Sequence, residues 1–342
     1  MPVEAIEAVE LRIVRLPLVR PFSAAHGTTS TRDVLLVRVV GGDRDGWGEC
    51  AAGSTTEYWH ETVASAWADL TASEGAAPAG PMARAALEMA LLDHGLQGAG
   101  RSLADHLGGS RTDVDATATA GFDDDPHELV AAGYRSLKLK VSPERPGAFA
   151  PGADLTVQVD ANGSFDPIEH ADLLAELDEA GLALIEQPFA ADRVDAHVEF
   201  CRKLRTPIGL DESIATVDDA RNAVAIGACG VVNVKPSRLG GIEAAVRAHD
   251  LCVSEGVDAK VGGMLETGIG RAAALALASL PGFTYPADLS ASDRYWTEDI
   301  VTEPFELDQN GQLRVPSGPG LGVTVRLDAV DAVTVERTRL TL

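Results

Sequence analysis

The chain has 342 residues, 45% of them hydrophobic, and a formal net charge of −24. That length allows one large domain with a smaller companion, and the charge argues against nucleic acid or an anionic membrane surface as partner. No run of about eighteen apolar residues occurs, so nothing is expected to span a membrane.

The four cysteines, Cys50, Cys201, Cys229 and Cys252, are scattered without a CxxC pair and read as reduced, buried thiols. The N-terminal Met1-Pro-Val-Glu-Ala lacks the basic and apolar regions of a signal peptide, and the plain reading is a cytoplasmic protein. Residues 7–18 alternate enough to form a strand, residues 33–40 form a second, and Gly41-Gly-Asp-Arg-Asp-Gly46 reads as the turn into a third at Trp47-Gly-Glu-Cys50. Helical patterns follow over 56–71, 81–97 and 102–107. A three-stranded meander with helices is an α+β module occupying residues 1–110. The segments 20–27 and 51–56 read as loops flanking its strands and as candidates for a lid.

From about residue 113 the rhythm changes. Residues 114–121 read as a strand with a helix over 126–132, and Ser136-Leu-Lys-Leu-Lys-Val141 is the second strand. Residues 142–154, rich in Pro and Gly, read as a loop where a helix would be due. Strands then recur at Val157-Gln-Val-Asp-Ala-Asn162, Ala183-Leu-Ile-Glu-Gln-Pro188, Ile208-Gly-Leu-Asp-Glu-Ser213 and Val231-Val-Asn-Val-Lys-Pro236. Helical patterns over 167–180, 192–204, 216–227 and 241–256 alternate with them. A seventh strand is expected at 257–261, followed by Gly262-Gly-Met-Leu-Glu-Thr-Gly-Ile-Gly270 and a helix to Leu280, and an eighth at 283–287. Residues 313–342 read as short strands and turns able to return to the N-terminal module.

Asp160, Glu186, Asp211 and Lys235 recur in steps of about 25 residues, the repeat of a βα unit in a closed parallel barrel. Each ends a strand, so all stand on one rim. Three carboxylates converging from adjacent strands repel one another unless a cation neutralises them. Oxygen ligands without nearby Cys or His favour Mg²⁺ over Zn²⁺. Lys138 and Lys140, two residues apart, point to one face, and Lys235 stands opposite. A metal held by acids and flanked by lysines suits removal of the α-proton of a carboxylate, because a divalent cation stabilises the enediolate. Lys140 is read as the acid/base, Lys138 as its electrostatic neighbour, since like charges disfavour the protonated form. Lys235 stabilises the enediolate or moves a proton at the other face.

Lys-x-Lys, Asp160-Ala-Asn, Glu186-Gln-Pro, Leu210-Asp-Glu-Ser and Asn233-Val-Lys-Pro-Ser-Arg-Leu-Gly-Gly241 together resemble the enolase superfamily, muconate-lactonizing subgroup, where a Lys or His base working with Mg²⁺ is the known pattern. Gly262-Gly-Met-Leu-Glu-Thr-Gly-Ile-Gly-Arg271 and Tyr285-Pro-Ala-Asp-Leu-Ser-Ala-Ser292 resemble its branch of o-succinylbenzoate-forming dehydratases and N-succinylamino acid racemases. The resemblance implies a modified (β/α)₇β TIM-type barrel at residues 111–312, capped by residues 1–110 and by a returning tail at 313–342. It implies Asp160, Glu186 and Asp211 as Mg²⁺ ligands, Lys140 and Lys235 as the acid/base pair, and a small carboxylate as substrate. The reaction implied is syn elimination of water with aromatisation, or racemisation by the same two lysines. Asn162 either orients a metal ligand or caps its turn. Glu212 faces a lysine or solvent, or adds a fourth ligand. Ser237 and Arg238 are expected near the substrate or behind the ligands. Gly262, Gly263 and Met264 either shape the succinyl pocket or make a plain turn. A dipeptide epimerase is disfavoured because Asp288-Leu-Ser lacks a paired Asp-x-Asp, and a non-catalytic scaffold because all five charged positions are intact. Oligomeric state is not legible.

Overall fold

The computed structural model describes residues 6–24, 27–73, 76–147, 152 and 154–341. The chain opens with three antiparallel strands, β1 (Ala8–Ala24), β2 (Gly27–Gly41) and β3 (Arg44–Cys50). Alternation along β2 divides its side chains between two cores. Leu35, Val37 and Val39 pack with Val9, Leu11 and Ile13 of β1 beneath the following helices. Val34 and Leu36 join the larger core that continues through the rest of the molecule. The expected loop at 20–27 is instead mostly strand. β1 and β2 run on as a long arm, with the pairing interrupted between Pro17 and Phe22 and resumed at Phe22↔Thr29. Pro17 and Pro21 bring no N–H to the ladder, which explains a break in register without loss of the strand.

Helices α1 (Val63–Ala72), α2 (Pro81–Ala99) and α3 (Leu103–Leu107) follow. α1 begins seven residues later than the sequence pattern implied because Thr62 and Ser65 close a capping box there. α2 starts on Pro81, and the Glu61 carboxylate accepts its first N–H groups, from Met82 at 2.8 Å and Ala83 at 2.9 Å. α2 lies directly on β3. A Cβ at Gly48 would stand 1.9 Å from the Ala86 carbonyl oxygen, and one at Gly46 2.1 Å from that of Ala90.

The remainder alternates: β4 (Asp113–Asp115), β5 (Thr117–Ala120), α4 (Pro126–Ala131), β6 (Ser136–Lys140), β7 (Thr156–Asp160), α5 (Ala171–Glu179), β8 (Leu184–Glu186), α6 (Val194–Lys203), β9 (Ile208–Leu210), α7 (Val217–Ile226), β10 (Val231–Val234), α8 (Pro236–Leu239), α9 (Ile242–Glu255), β11 (Asp258–Val261) and α10 (Gly268–Ala278). Strands β5 to β11 form one parallel sheet of seven in sequence order. Two expectations are corrected. The run 114–121 is not one strand, because β4 leaves to pair with β12 (Gln312–Arg314) in a separate antiparallel pair. Residues 283–287 form no regular strand either, although they stand in the eighth position. There Asp288 N donates to Val261 O, while Ala287 N donates to Asp115 O and Thr117 N to Ala287 O. This irregular segment links the two edges of the curled sheet.

Among the described residues of 142–154 there is no helix; Ser142 and Arg145 bond reciprocally in a tight turn. After α11 (Leu327–Val333), β13 (Thr334–Thr341) pairs antiparallel with β1 from Ala8↔Thr341 to Val14↔Thr334. The tail thus becomes the fourth strand of the N-terminal sheet. No helix among the described residues is long and apolar enough to cross a membrane.

Candidate active site

Strand register sets the site. Lys140 pairs with Asp160 across β6/β7 and Asp160 with Glu186 across β7/β8, so the three side chains stand abreast at the carboxyl ends of adjacent strands. Asp211 and Lys235 follow at the ends of β9 and β10. Because β6 and β10 are four places apart in a ring of eight positions, Lys140 and Lys235 face each other across the middle.

The acids are all buried and each is turned toward a cation. Lys138 Nζ lies 2.7 Å from Asp288 Oδ2, 3.1 Å from Glu186 Oε1 and 3.3 Å from Asp160 Oδ2. Burial pulls its pKa down, but Asp288, Glu186 and Asp160 outweigh that and hold it well above the usual lysine value. Lys140 Nζ donates to Asp160 Oδ2 and to Asn162 Oδ1, both at 2.7 Å. Lys235 Nζ donates to Asp211 Oδ2 at 2.8 Å and to the Tyr58 hydroxyl at 2.7 Å. Against the burial that would lower it, Asp211 raises the Lys235 pKa and keeps the ammonium charged. Arg238 donates from Nη2 to Asp211 Oδ1 at 2.6 Å and from Nη1 to Tyr58 at 3.0 Å. Asp211 is held well below the usual carboxylate range, burial being overcome by Arg238 and Lys235.

The expected gathering of three carboxylates needs correction in one respect. Among the described residues no three acids or histidines are grouped closely enough to hold a metal ion; ammonium and guanidinium groups stand between them. The donor set nevertheless fits a hard cation. It consists of carboxylates alone, the Lys138 ammonium already contacts two of them, and Asn233 Oδ1 is buried beside Glu186 without a partner. Asp160, Glu186 and Asp211 are the residues that could hold Mg²⁺.

Asn162 has φ 45° and uses its backbone N–H to cap Asp160 Oδ1 at 3.0 Å, while its amide nitrogen reaches Glu212 Oε1 at 2.8 Å. It therefore both makes the turn and orients a carboxylate. Glu212 is pushed up to about 7 by burial first and then by Asp211 and Asp160. Gln187, at φ 40°, accepts from Asp211 N at 2.9 Å and Ser213 N at 3.2 Å, which pins the loop after β9.

A cavity of about 560 Å³ opens above the lysines, between the rim and the N-terminal module. Lys138, Lys140, Asn162, Lys235, Gly263 and Met264 line it from the side of the parallel sheet. Ser237 is not on its wall; it lines a separate small recess beside α10. Gly262 is also off the wall and serves packing, because a Cβ there would stand 2.6 Å from Lys235 Cγ and 2.2 Å from Asn233 Oδ1.

Three participants escaped the sequence reading. Lys260 is fully buried and reaches Gln158 Oε1 at 2.7 Å, Glu186 Oε2 at 2.8 Å and Asp288 Oδ1 at 2.8 Å. A lysine inside the apolar run of strand seven was the available signal. Asp288 was quoted within the motif Tyr285–Ser292 and for the Asp-x-Asp it lacks, but was given no part in the charge cluster it joins through Lys138 and Lys260. Tyr58 arrives from the other module, and no local pattern announces it.

The model of the family described as "Enolase C-terminal domain-like" matches residues 123–329. An N-succinylamino acid racemase of Amycolatopsis sp is 42% identical over 97% of this chain and 98% of its own length. An o-succinylbenzoate synthase of Geobacillus stearothermophilus is 37% identical over 96% of each. Among solved structures, an enolase superfamily member from Listeria innocua superposes with a TM-score of 0.89, at 31% identity over 99% of this chain and 100% of that one. With the family model covering more than half its length and such relatives matching nearly all of it, the chain belongs to the enolase superfamily.

Proposed function

We propose that this chain is an o-succinylbenzoate synthase, a Mg²⁺-dependent hydro-lyase of menaquinone biosynthesis built on a (β/α)₇β barrel with a cap. It would convert 2-succinyl-6-hydroxy-2,4-cyclohexadiene-1-carboxylate into o-succinylbenzoate and water. The observation that carries the reading is the pair Lys140 and Lys235, facing each other from β6 and β10 across one cavity with buried carboxylates between them. Mg²⁺, held by Asp160, Glu186 and Asp211, would supply charge stabilisation for the substrate carboxylate as its α-proton leaves.

The protein's own groups do the rest. Lys140, hydrogen-bonded to Asn162 and Asp160, is placed to take the α-proton once substrate displaces those contacts. The same ammonium then returns that proton to the departing hydroxyl on the same face, so water leaves and the ring becomes aromatic. Lys235, kept protonated by Asp211, faces the developing negative charge from the other side. Tyr58 and Arg238 hold Lys235 and Asp211 in register.

A second reading has its own support. The 42% identity to an N-succinylamino acid racemase and the placement of a lysine on each side both suit removal of an α-proton on one face and delivery on the other. A substrate panel with Mg²⁺ separates the two. Absorbance growth from the cyclohexadiene acid supports the lyase; deuterium uptake and loss of optical activity in N-succinylated amino acids support the racemase. Inactivity on both classes would sink the reading of the site.

A further inference from the structure

Arg32, near the middle of β2, belongs to the module opposite the lysines, yet its side chain lines the same cavity. It is 8% exposed. Nη2 donates to Ala51 O at 2.6 Å, and Nε is buried with no partner. Among the described residues no carboxylate is within ion-pair distance of it. The nearest acids in electrostatic terms, Glu49 and Glu266, are occupied elsewhere: Glu49 by Thr267 and Gly270, Glu266 by the Met264 N–H.

A guanidinium removed from water without a bonded anion is costly. Burial accordingly pulls its pKa down from the usual arginine value. The surroundings leave space for an anion rather than filling it. Gly53 faces the guanidinium, with Nη1 3.8 Å from where a Cβ would be. Thr29, Ser30 and Thr31 line the cavity wall nearby, and neutral hydroxyls there add donors without adding negative charge. A substrate whose reacting carbon lies between Lys140 and Lys235 must extend toward the cap, because the barrel side below the lysines is closed by Lys260, Gln158 and Glu186.

We propose that Arg32 is a specificity residue that binds a second carboxylate, remote from the reacting carbon, so that the site selects substrates with acid groups at both ends. The inference deepens the function proposed above and rests on its placing the reacting carbon between the lysines. The planar fork of Arg32 suits a terminal carboxylate bidentately, and a succinyl tail carries such a group.

The experiment is calorimetric binding, with Mg²⁺ present, of o-succinylbenzoate and of 2-butyrylbenzoate, in which a methyl group replaces the distal carboxylate. The wild-type protein is expected to prefer the dicarboxylate by about tenfold to a hundredfold, the range of a hydrogen bond to a charged group. In Arg32→Gln that preference collapses to within about twofold. Arg32→Lys keeps a buried cation if the Gln variant does not fold, and its preference falls to an intermediate value because the bidentate geometry is gone. A wild-type protein without preference, or a preference equal to wild type in either variant, overturns the proposal. If Arg32-dependent preference is seen while neither the cyclohexadiene acid nor N-succinylated amino acids react, the proposed reaction fails and the anchor stands.

Discussion

At the scale of single residues, the two facing lysines should not tolerate the same loss equally. Lys140→Met removes the group assigned both proton transfers, so turnover of the cyclohexadiene acid is expected to fall by about 10²–10⁴-fold. Binding of o-succinylbenzoate with Mg²⁺ should stay within about tenfold, as read by calorimetry. Activity near wild type would remove Lys140 from the mechanism. Lys235 and the acids of the rim were legible because each ends a strand and recurs at the βα period, and Lys140 because it ends the second strand two residues after Lys138. Lys260, Asp288 and Tyr58 were not, since their roles depend on the curl of the sheet and on docking of the second module. Ser237 shows the opposite failure. It was expected near the substrate or behind the ligands, but the chain turns into α8 at Pro236 and places it in the small recess beside α10, off the cavity wall.

At the scale of elements, the contact of β3 with both α2 and α10 is the most exposed to test. Gly48 has no room for a methyl group against the Ala86 carbonyl. Gly48→Ala must push α2 off the sheet, and overpacking of this kind costs about 1–3 kcal/mol; a thermal melt indistinguishable from wild type would refute the close approach. One residue on, Glu49 accepts from Thr267 N at 3.0 Å, Thr267 Oγ1 at 2.6 Å and Gly270 N at 2.9 Å, fastening the first module to the start of α10. Burial first, with Glu266 adding to it, pushes its pKa up to about 7 from 4.5. The folded protein therefore binds this proton more tightly than the unfolded chain. The resulting contribution to stability is fully present below about pH 4.5 and lost as pH rises through about 7. Melts of wild type and Glu49→Gln at pH 5 and pH 8 should show wild type losing about 2–3 kcal/mol more than the variant over that interval. A parallel dependence would show that Glu49 does not titrate there. Most helices and strands were visible as periodic runs. What misled was local: a capping box at Thr62 that delayed α1, and prolines that interrupted pairing between β1 and β2 without ending either strand.

At the scale of the whole molecule, the tail and the start of the chain complete one sheet, so the N-terminal module takes its fourth strand from the far end of the sequence. The seam is more than backbone pairing. Glu10, with no exposed surface, lies between Arg12 on its own strand, at 2.7 Å, and Arg337 on β13, which hydrogen-bonds its other oxygen. Burial raises the Glu10 pKa, but Arg12 and Arg337 overcome it and hold the carboxyl below its usual value. Removing residues 334–342 takes away the whole outer strand and one of the arginines while leaving the carboxylate buried. Breaking a buried pair from one side costs about 3–5 kcal/mol, less here because Arg12 remains. Arg337→Ala alone should cost about 1 kcal/mol, since that side chain is half exposed and screened by water. The truncated protein should therefore melt well below the point variant, and its loss should grow as the medium is made less acidic, when Glu10 is fully charged. Cap docking also brings Tyr58 onto Lys235 and Arg238. The truncation is thus expected to lower turnover in the temperature range where the parallel sheet and its helices, followed by far-ultraviolet circular dichroism, are still folded. Equal melting of truncated and full-length protein would mean that β13 is an ornament of the sheet, and that the module over the active site holds its shape without it.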